Sequence, residues 1–133
     1  MEQLEEKICL DTDFLVNFLR NKKEEVDFII ENDTKILATT FINLFELYHG
    51  VYKYKEIKNN LFKLEELASR LIILNLSHDS VKKAGEIASE LEKAGNPIEF
   101  RDLLIGCIAI KEEYSIKTNN KKHFERIVGL KIL

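Results

Sequence analysis

Short apolar segments that alternate with helical patterns constrain the fold of this chain more than any other feature. The segments are residues 7–10, 36–39, 71–74 and 114–118. Each is too short for a buried helix and is followed by polar or turn residues, as strands are. Strands that alternate with helices form parallel sheets with helices packed on both faces. The pattern therefore predicts an α/β domain with a central, mostly parallel sheet of four or five short strands, flanked by helices on both faces.

Two of the predicted strands differ in their expected position in the sheet. Residues 71–74 read Leu-Ile-Ile-Leu, a continuous apolar run that is typical of a strand buried on both faces. Residues 130–133 are predicted as a last strand at the edge of the sheet. Both cysteines, Cys9 and Cys107, lie inside apolar runs, residues 8–10 and 105–108, which predicts buried thiols and no disulfide.

The clearest helical signals lie in residues 41–52 and 103–110. In the first segment Phe41, Leu44, Phe45, Tyr48, Val51 and Tyr52 share one stripe at helical spacing. Glu46 lies about 150° from the centre of that stripe at 100° per residue. We therefore expect it to face a cleft or water instead of the core. The second segment is apolar on all sides, which predicts a buried helix with Asp102 at its N-terminal end.

Composition limits the function classes that this chain can belong to. Its 133 residues suffice for one domain, and 45% hydrophobic with 32% charged residues is typical of a globular protein. The formal net charge of −3 argues against nucleic-acid binding by overall basicity. With no secretory apolar segment at the start and no run near the ~18 apolar residues of a membrane span, the sequence predicts a cytoplasmic protein without a membrane anchor.

Three carboxylates stand beside apolar neighbours, in Leu10-Asp11-Thr12, Phe45-Glu46-Leu47 and Arg101-Asp102-Leu103. An ionised acid in apolar surroundings costs several kcal/mol unless a cation compensates it. If the fold brings Asp11, Glu46 and Asp102 together, a divalent cation is the expected ligand. Asp11 and Asp102 have a second interpretation as acids that stabilise helix N-termini. Glu46 taken alone is typical of a solvated residue on the polar face of a helix, and only the other acids favour a metal role for it.

Four segments in order resemble the motifs of PIN domains, and in particular VapC-type ribonuclease toxins of prokaryotic toxin-antitoxin pairs. They are residues 8–15, the helix with Glu46, residues 101–109 and residues 118–124. The resemblance implies a single PIN-like nuclease domain over residues 1–133. It also implies a Mg²⁺- or Mn²⁺-dependent endoribonuclease that acts on RNA, forms a homodimer and is inhibited by a cognate antitoxin protein.

The resemblance assigns metal binding to Asp11, Glu46 and Asp102. Thr12 and Thr118 are implied as supporting hydroxyls, and Asp13 is a further supporting acid. Family members often carry an acid in the fourth motif, at the position of Asn120 or of His123, and this sequence has neither. Whether the site holds one metal ion or two therefore stays open.

The fourth motif still offers polar groups that fit phosphodiester chemistry. We predict that Asn120 offers its carbonyl oxygen to a water in the site and that His123 carries a proton near neutral pH. Lys121, Lys122 and Arg126 follow directly along the chain. They are expected to contact RNA phosphates, which positions a strand without reading its bases.

Two other functions are compatible with parts of the sequence. The missing fourth acid allows a PIN-like module that binds RNA or a partner without cleaving. Asp11-Thr12-Asp13 after a strand also resembles the opening of haloacid-dehalogenase-type phosphatases, in which the first Asp is a nucleophile. Those enzymes need a later Lys and a further pair of acids at a strand end, and no convincing pair follows here.

Overall fold

The computed structural model of the protein describes residues 6–133. Strands and helices alternate along this part of the chain as the sequence predicts. In chain order they are β1 (Lys7–Leu10), α1 (Thr12–Leu19), α2 (Lys23–Glu31), β2 (Ile36–Thr40), α3 (Phe41–Lys53), α4 (Ile57–Ser69), β3 (Ile72–Leu74), α5 (His78–Lys93), α6 (Phe100–Lys111), β4 (Ser115–Lys117) and α7 (Lys121–Phe124). Within these residues, no helix has both the length and the apolar surface to cross a bilayer.

The four strands of residues 6–133 form one parallel sheet in the order β3-β2-β1-β4. The predicted α/β fold with a parallel sheet is confirmed, with four strands. Because β1 lies between β2 and β4, its carboxyl end at Leu10 has a neighbouring strand end on each side. Leu10 pairs with Lys117, and the β1–β2 register aligns Cys9 with Ala38. The residues that follow these strands therefore emerge side by side at one edge of the sheet.

Helices cover both faces of the sheet. Successive side chains of β1 point to opposite faces, and each face packs against its own helices. Ile8 and Leu10 pack against α1, α3 and α4, whereas Cys9 packs with Ile108 and Ala109 of α6. Both cysteines are buried free thiols, as predicted.

Helix α6 is the buried central helix that the sequence predicts. Its buried residues include Leu103, Ile105, Gly106, Cys107, Ile108 and Ala109. A Cβ atom at Gly106 would lie 2.5 Å from Cδ1 of Ile127. Glycine therefore allows the close approach between α6 and the segment after α7.

Two predictions about individual strands are wrong. Strand β3 is not buried on both faces, since Ile72 is 49% exposed. The reason is that within residues 6–133 β3 pairs only with β2 and forms an edge of the sheet. Residues 130–133 make a single parallel bridge in the described chain, between Ile132 and Ile116, and no full strand. A turn at Gly129, with φ of 92°, brings the chain alongside β4 for this short distance.

Candidate active site

Asp11 is the buried centre of the polar cluster at the carboxyl edge of the sheet. It follows β1 and is 3% exposed. Its Oδ1 accepts a hydrogen bond from Nδ2 of Asn43 at 2.9 Å, and its Oδ2 accepts one from Oγ1 of Thr118 at 2.7 Å. Asp11 occupies the N-cap position of α1, yet within residues 6–133 its side chain makes no capping hydrogen bond. The N-cap position predicted as the second interpretation of Asp11 is therefore confirmed, but the hydrogen bonds that its carboxylate accepts in this part of the chain come from Asn43 and Thr118 and not from the capped turn.

Asn43 is a site residue that the sequence analysis missed. It is fully buried in the first turn of α3, where its Oδ1 accepts hydrogen bonds from the backbone N and the Oγ1 of Thr40. Its Nδ2 donates to both Asp11 Oδ1 and Thr12 Oγ1 at 2.9 Å. One side chain thus caps α3 and orients Asp11. The sequence does offer one signal for Asn43, a polar residue three positions after Thr40 as in a capping box, and one turn before Glu46.

Glu46 is half-buried and has polar partners on α1 and α6. The apolar stripe predicted for α3 is not its buried face, since Phe45 is 67% and Tyr52 59% exposed.

Oε1 of Glu46 accepts a hydrogen bond from Oγ1 of Thr12 at 2.7 Å. Its Oε2 accepts one from Nε of Arg101. Nη1 of Arg101 donates in turn to Oδ1 of Asp102 at 2.6 Å. A continuous polar chain therefore links Asp11 to Glu46 and Asp102.

Asp102 lies in the first turn of α6 and is 3% exposed. Its second oxygen, Oδ2, lies 3.3 Å from Nδ1 of His123. Burial raises the pKa of Asp102, although Arg101 opposes this effect, and the charge of Asp11 raises it further. Burial also raises the pKa of Asp11, against the hydrogen bond from Thr118. Both acids are therefore held where their ionised forms are costly.

The donor set suits a hard divalent cation, although Arg101 already contacts one oxygen of Glu46 and one of Asp102. Among residues 6–133, no three acidic, histidine or cysteine side chains stand in a ready metal-binding arrangement. Carboxylate oxygens are nevertheless the ligands that Mg²⁺ prefers, and each can accept more than one hydrogen bond or ligand contact. Asp11, Glu46 and Asp102 are the residues that would hold such an ion.

The family model described as "PIN domain" matches residues 8–130, which is nearly the whole chain. The chain belongs to the PIN domain family.

Individual relatives of this PIN domain match over almost their full length. Ribonuclease VapC2 of Rickettsia felis is 36% identical over 125 residues, covering 91% of this chain and 92% of its own. The tRNA(fMet)-specific endonuclease VapC of Salmonella typhimurium is 31% identical over 126 residues, covering 95% and 96%. The crystal structure of DNA-bound VapBC from Salmonella typhimurium superposes with a TM-score of 0.86 at 29% identity, covering 96% and 97%.

The fourth motif of this PIN domain forms the rim of the cluster. Nδ2 of Asn120 donates to Oδ2 of Asp13 at 2.7 Å, and its backbone N donates to Oγ1 of Thr118 at 3.0 Å. Oδ1 of Asp13 accepts the backbone N–H of Phe14 at 2.7 Å. Asp13 and Asn120 thus bind each other beside Asp11. The predicted role of Asn120 toward a water stays a prediction.

The predicted phosphate-binding residues divide into two groups. Lys121 and Lys122 are exposed on α7, and the segment 117–123 lines a groove of about 510 Å³. Arg126 instead donates to the carbonyl of Pro97 and lies 3.4 Å from Oδ1 of Asn96, in the loop between α5 and α6. The structure therefore places the two lysines on a groove beside Asn120 and His123 and directs Arg126 toward the loop.

The raised pKa of Asp102 predicts how the stability of the metal-free PIN domain depends on pH. Because the folded protein raises this pKa, protonated Asp102 contributes to stability below the ordinary Asp pKa of 3.8. That contribution is lost as the pH rises through the raised pKa. In EDTA at pH 8, the melting temperature of Asp102→Asn should therefore be higher than that of wild type. The difference between the two melting temperatures should shrink toward pH 4. Thermal unfolding across that range measures it, with the exposed Asp33→Asn as control. A lower melting temperature of Asp102→Asn than of wild type at pH 8 would contradict the raised pKa of Asp102.

Proposed function

We propose that this PIN domain is an endoribonuclease that hydrolyses phosphodiester bonds in RNA with Mg²⁺ or Mn²⁺, and that it is the toxin of a VapBC-type toxin-antitoxin pair. The observation that carries the proposal is the hydrogen-bonded network that links Asp11, Glu46 and Asp102, which lie far apart in the sequence, beyond the carboxyl end of β1. Full-length relatives named as VapC ribonucleases support the same reaction.

The chain's own residues would divide the work of hydrolysis. Asp11 and Asp102 would hold the ion, with Glu46 binding it directly or through water. A bound Mg²⁺ or Mn²⁺ would polarise the phosphoryl oxygens and lower the pKa of a nearby water. Asn43 and Thr118 fix the orientation of the Asp11 carboxylate, and such supporting hydrogen bonds tune metal sites.

The surroundings of the acids supply binding and proton transfer. Lys121 and Lys122 border the groove and would contact phosphates on either side of the cleaved bond. His123, which lies beside Asp102, would carry a proton to the leaving oxygen. The VapBC structure supports an antitoxin as the protein partner of this chain. Homodimerisation stays a prediction.

Removal of metal tests the proposed reaction. We expect purified protein to cut labelled RNA with added Mg²⁺ or Mn²⁺, to lose this activity in EDTA, and to regain it when Mn²⁺ is added in excess. Water-driven hydrolysis leaves a 5′-phosphate and a 3′-hydroxyl, whereas attack by the RNA 2′-hydroxyl leaves a cyclic phosphate. Analysis of product ends thus separates this enzyme from metal-independent ribonuclease contamination.

Two outcomes would speak against the proposal. Equal cutting in EDTA and in Mg²⁺ would show that the reaction does not use a divalent ion. RNA binding without cutting in either metal would favour the non-catalytic PIN-like module, which the absence of an acid at Asn120 and His123 allows.

A further inference from the structure

Arg101 bridges two acids of the proposed metal site. Its Nε donates to Oε2 of Glu46 on α3, and its Nη1 donates to Oδ1 of Asp102 at 2.6 Å. The Arg101 side chain is 30% exposed, compared with 24% for Glu46 and 4% for Asp102. One guanidinium therefore links two helices through their carboxylates, in a partly desolvated position where charge interactions are strong.

The guanidinium of Arg101 neutralises part of the negative charge of the acidic site when no metal is bound. Several carboxylates confined to one cleft repel one another, and a buried acid without a cation is costly. Arg101 supplies positive charge to Glu46 and Asp102, while Asp11 lies within range of its field. His123 also approaches Asp102, at a longer 3.3 Å.

The same contacts conflict with a bound metal ion. Arg101 takes Oε2 of Glu46 and Oδ1 of Asp102, and two positive charges a few ångströms apart repel each other. The arginine side chain is long and partly exposed, so it can turn into solvent without a change in α6.

We propose that Arg101 is a built-in counter-cation of the acidic site that competes with Mg²⁺ or Mn²⁺ for Glu46 and Asp102. This inference rests on the proposed metal-dependent function. Arg101 holds the acids together when no metal is bound and must leave them for the ion to bind. It thereby sets the metal concentration at which the site fills.

The affinity for metal distinguishes a competing counter-cation from a purely structural ion pair, because removing Arg101 raises that affinity only if Arg101 competes with the ion. We would titrate Mn²⁺ into wild type, Arg101→Gln, Arg101→Lys and the control Arg70→Gln by calorimetry. Arg70 is 73% exposed and pairs with Glu66 on α4. Arg101→Gln should bind Mn²⁺ with a Kd lower by about tenfold or more, because a unit charge beside the ion is removed. Arg101→Lys should fall between it and wild type, and Arg70→Gln should match wild type.

A second measurement uses the wild-type protein and does not depend on the folding of a variant. The Nε–H resonance of Arg101 can be followed by ¹H–¹⁵N NMR and assigned by its loss in Arg101→Lys. Titration with diamagnetic Mg²⁺ should move this resonance toward the position of exposed arginines as the contact with Glu46 breaks.

The outcomes distinguish this inference from the proposed function. Equal or weaker Mn²⁺ binding by Arg101→Gln, or an Arg101 resonance that stays in place when wild type is saturated with Mg²⁺, would overturn the competition and leave the metal-dependent reaction standing. Absence of metal uptake by all four proteins would overturn the metal-dependent reaction itself.

Discussion

Asp11→Asn is expected to lower RNA cleavage about a thousandfold or more while the protein stays folded. Asparagine keeps the shape of the side chain and can still accept the hydrogen bond from Asn43. It lacks the negative charge that would hold the divalent ion. Loss of several kcal/mol of transition-state stabilisation corresponds to a rate loss of about 10³. Cleavage of a labelled RNA under single-turnover conditions in Mg²⁺ measures the effect.

Matched variants make this result specific. Asp102→Asn should lose activity to a similar extent, and the double variant should be no worse than either single variant, because residues that act as a unit are not additive. The exposed Asp33→Asn should cut RNA like wild type. Retention of about a tenth of wild-type activity in Asp11→Asn would be too much for a metal-binding acid.

Asn43→Ala is expected to destabilise the protein by about 3–5 kcal/mol, since the change leaves several buried polar groups without partners. The fully buried Asn43 amide exchanges hydrogen bonds with Thr40, Asp11 and Thr12. Alanine would leave the backbone N–H of Thr40 uncapped and Oδ1 of Asp11 without its donor. Urea unfolding followed by circular dichroism gives the change in the free energy of unfolding.

A second asparagine in the chain provides the control for this loss. Asn60 makes a longer contact of 3.4 Å to the carbonyl of Lys55 near the surface. Asn60→Ala should therefore change the free energy of unfolding by no more than about 0.5 kcal/mol. Equal effects of the two substitutions would show that the hydrogen bonds of Asn43 do not support Asp11 as described.

The sequence predicts the sheet and its helices well because their signals are local. Apolar periodicity and turn residues define each element within about ten positions, and α6 is recognisable because it is apolar on every side. The burial of Ile72 was mispredicted because an apolar run does not reveal which strand lies at the edge. Edge position follows from strand order, which depends on contacts between distant parts of the chain.

The candidate site was predictable only where a residue follows a strand or breaks an apolar pattern. Asp11 and Thr118 could be placed at one sheet edge by the rule for parallel strands. Arg101 and Asn43 could not be assigned a role, because what they bind is set by the packing of α3 against α6 and by the turn after β2. Nothing in their own sequence neighbourhood states that the partner is Asp11 or Glu46.

The anomalous diffraction of manganese tests most directly whether Asp11, Glu46 and Asp102 form one cation site. Crystals grown with Mn²⁺ and measured near its absorption edge should show an anomalous peak in contact with the carboxylates of Asp11 and Asp102. Glu46 should bind directly or through a water, and Arg101 should be turned away. A map with no manganese at these carboxylates, and with Arg101 still between Glu46 and Asp102, would contradict the proposed site.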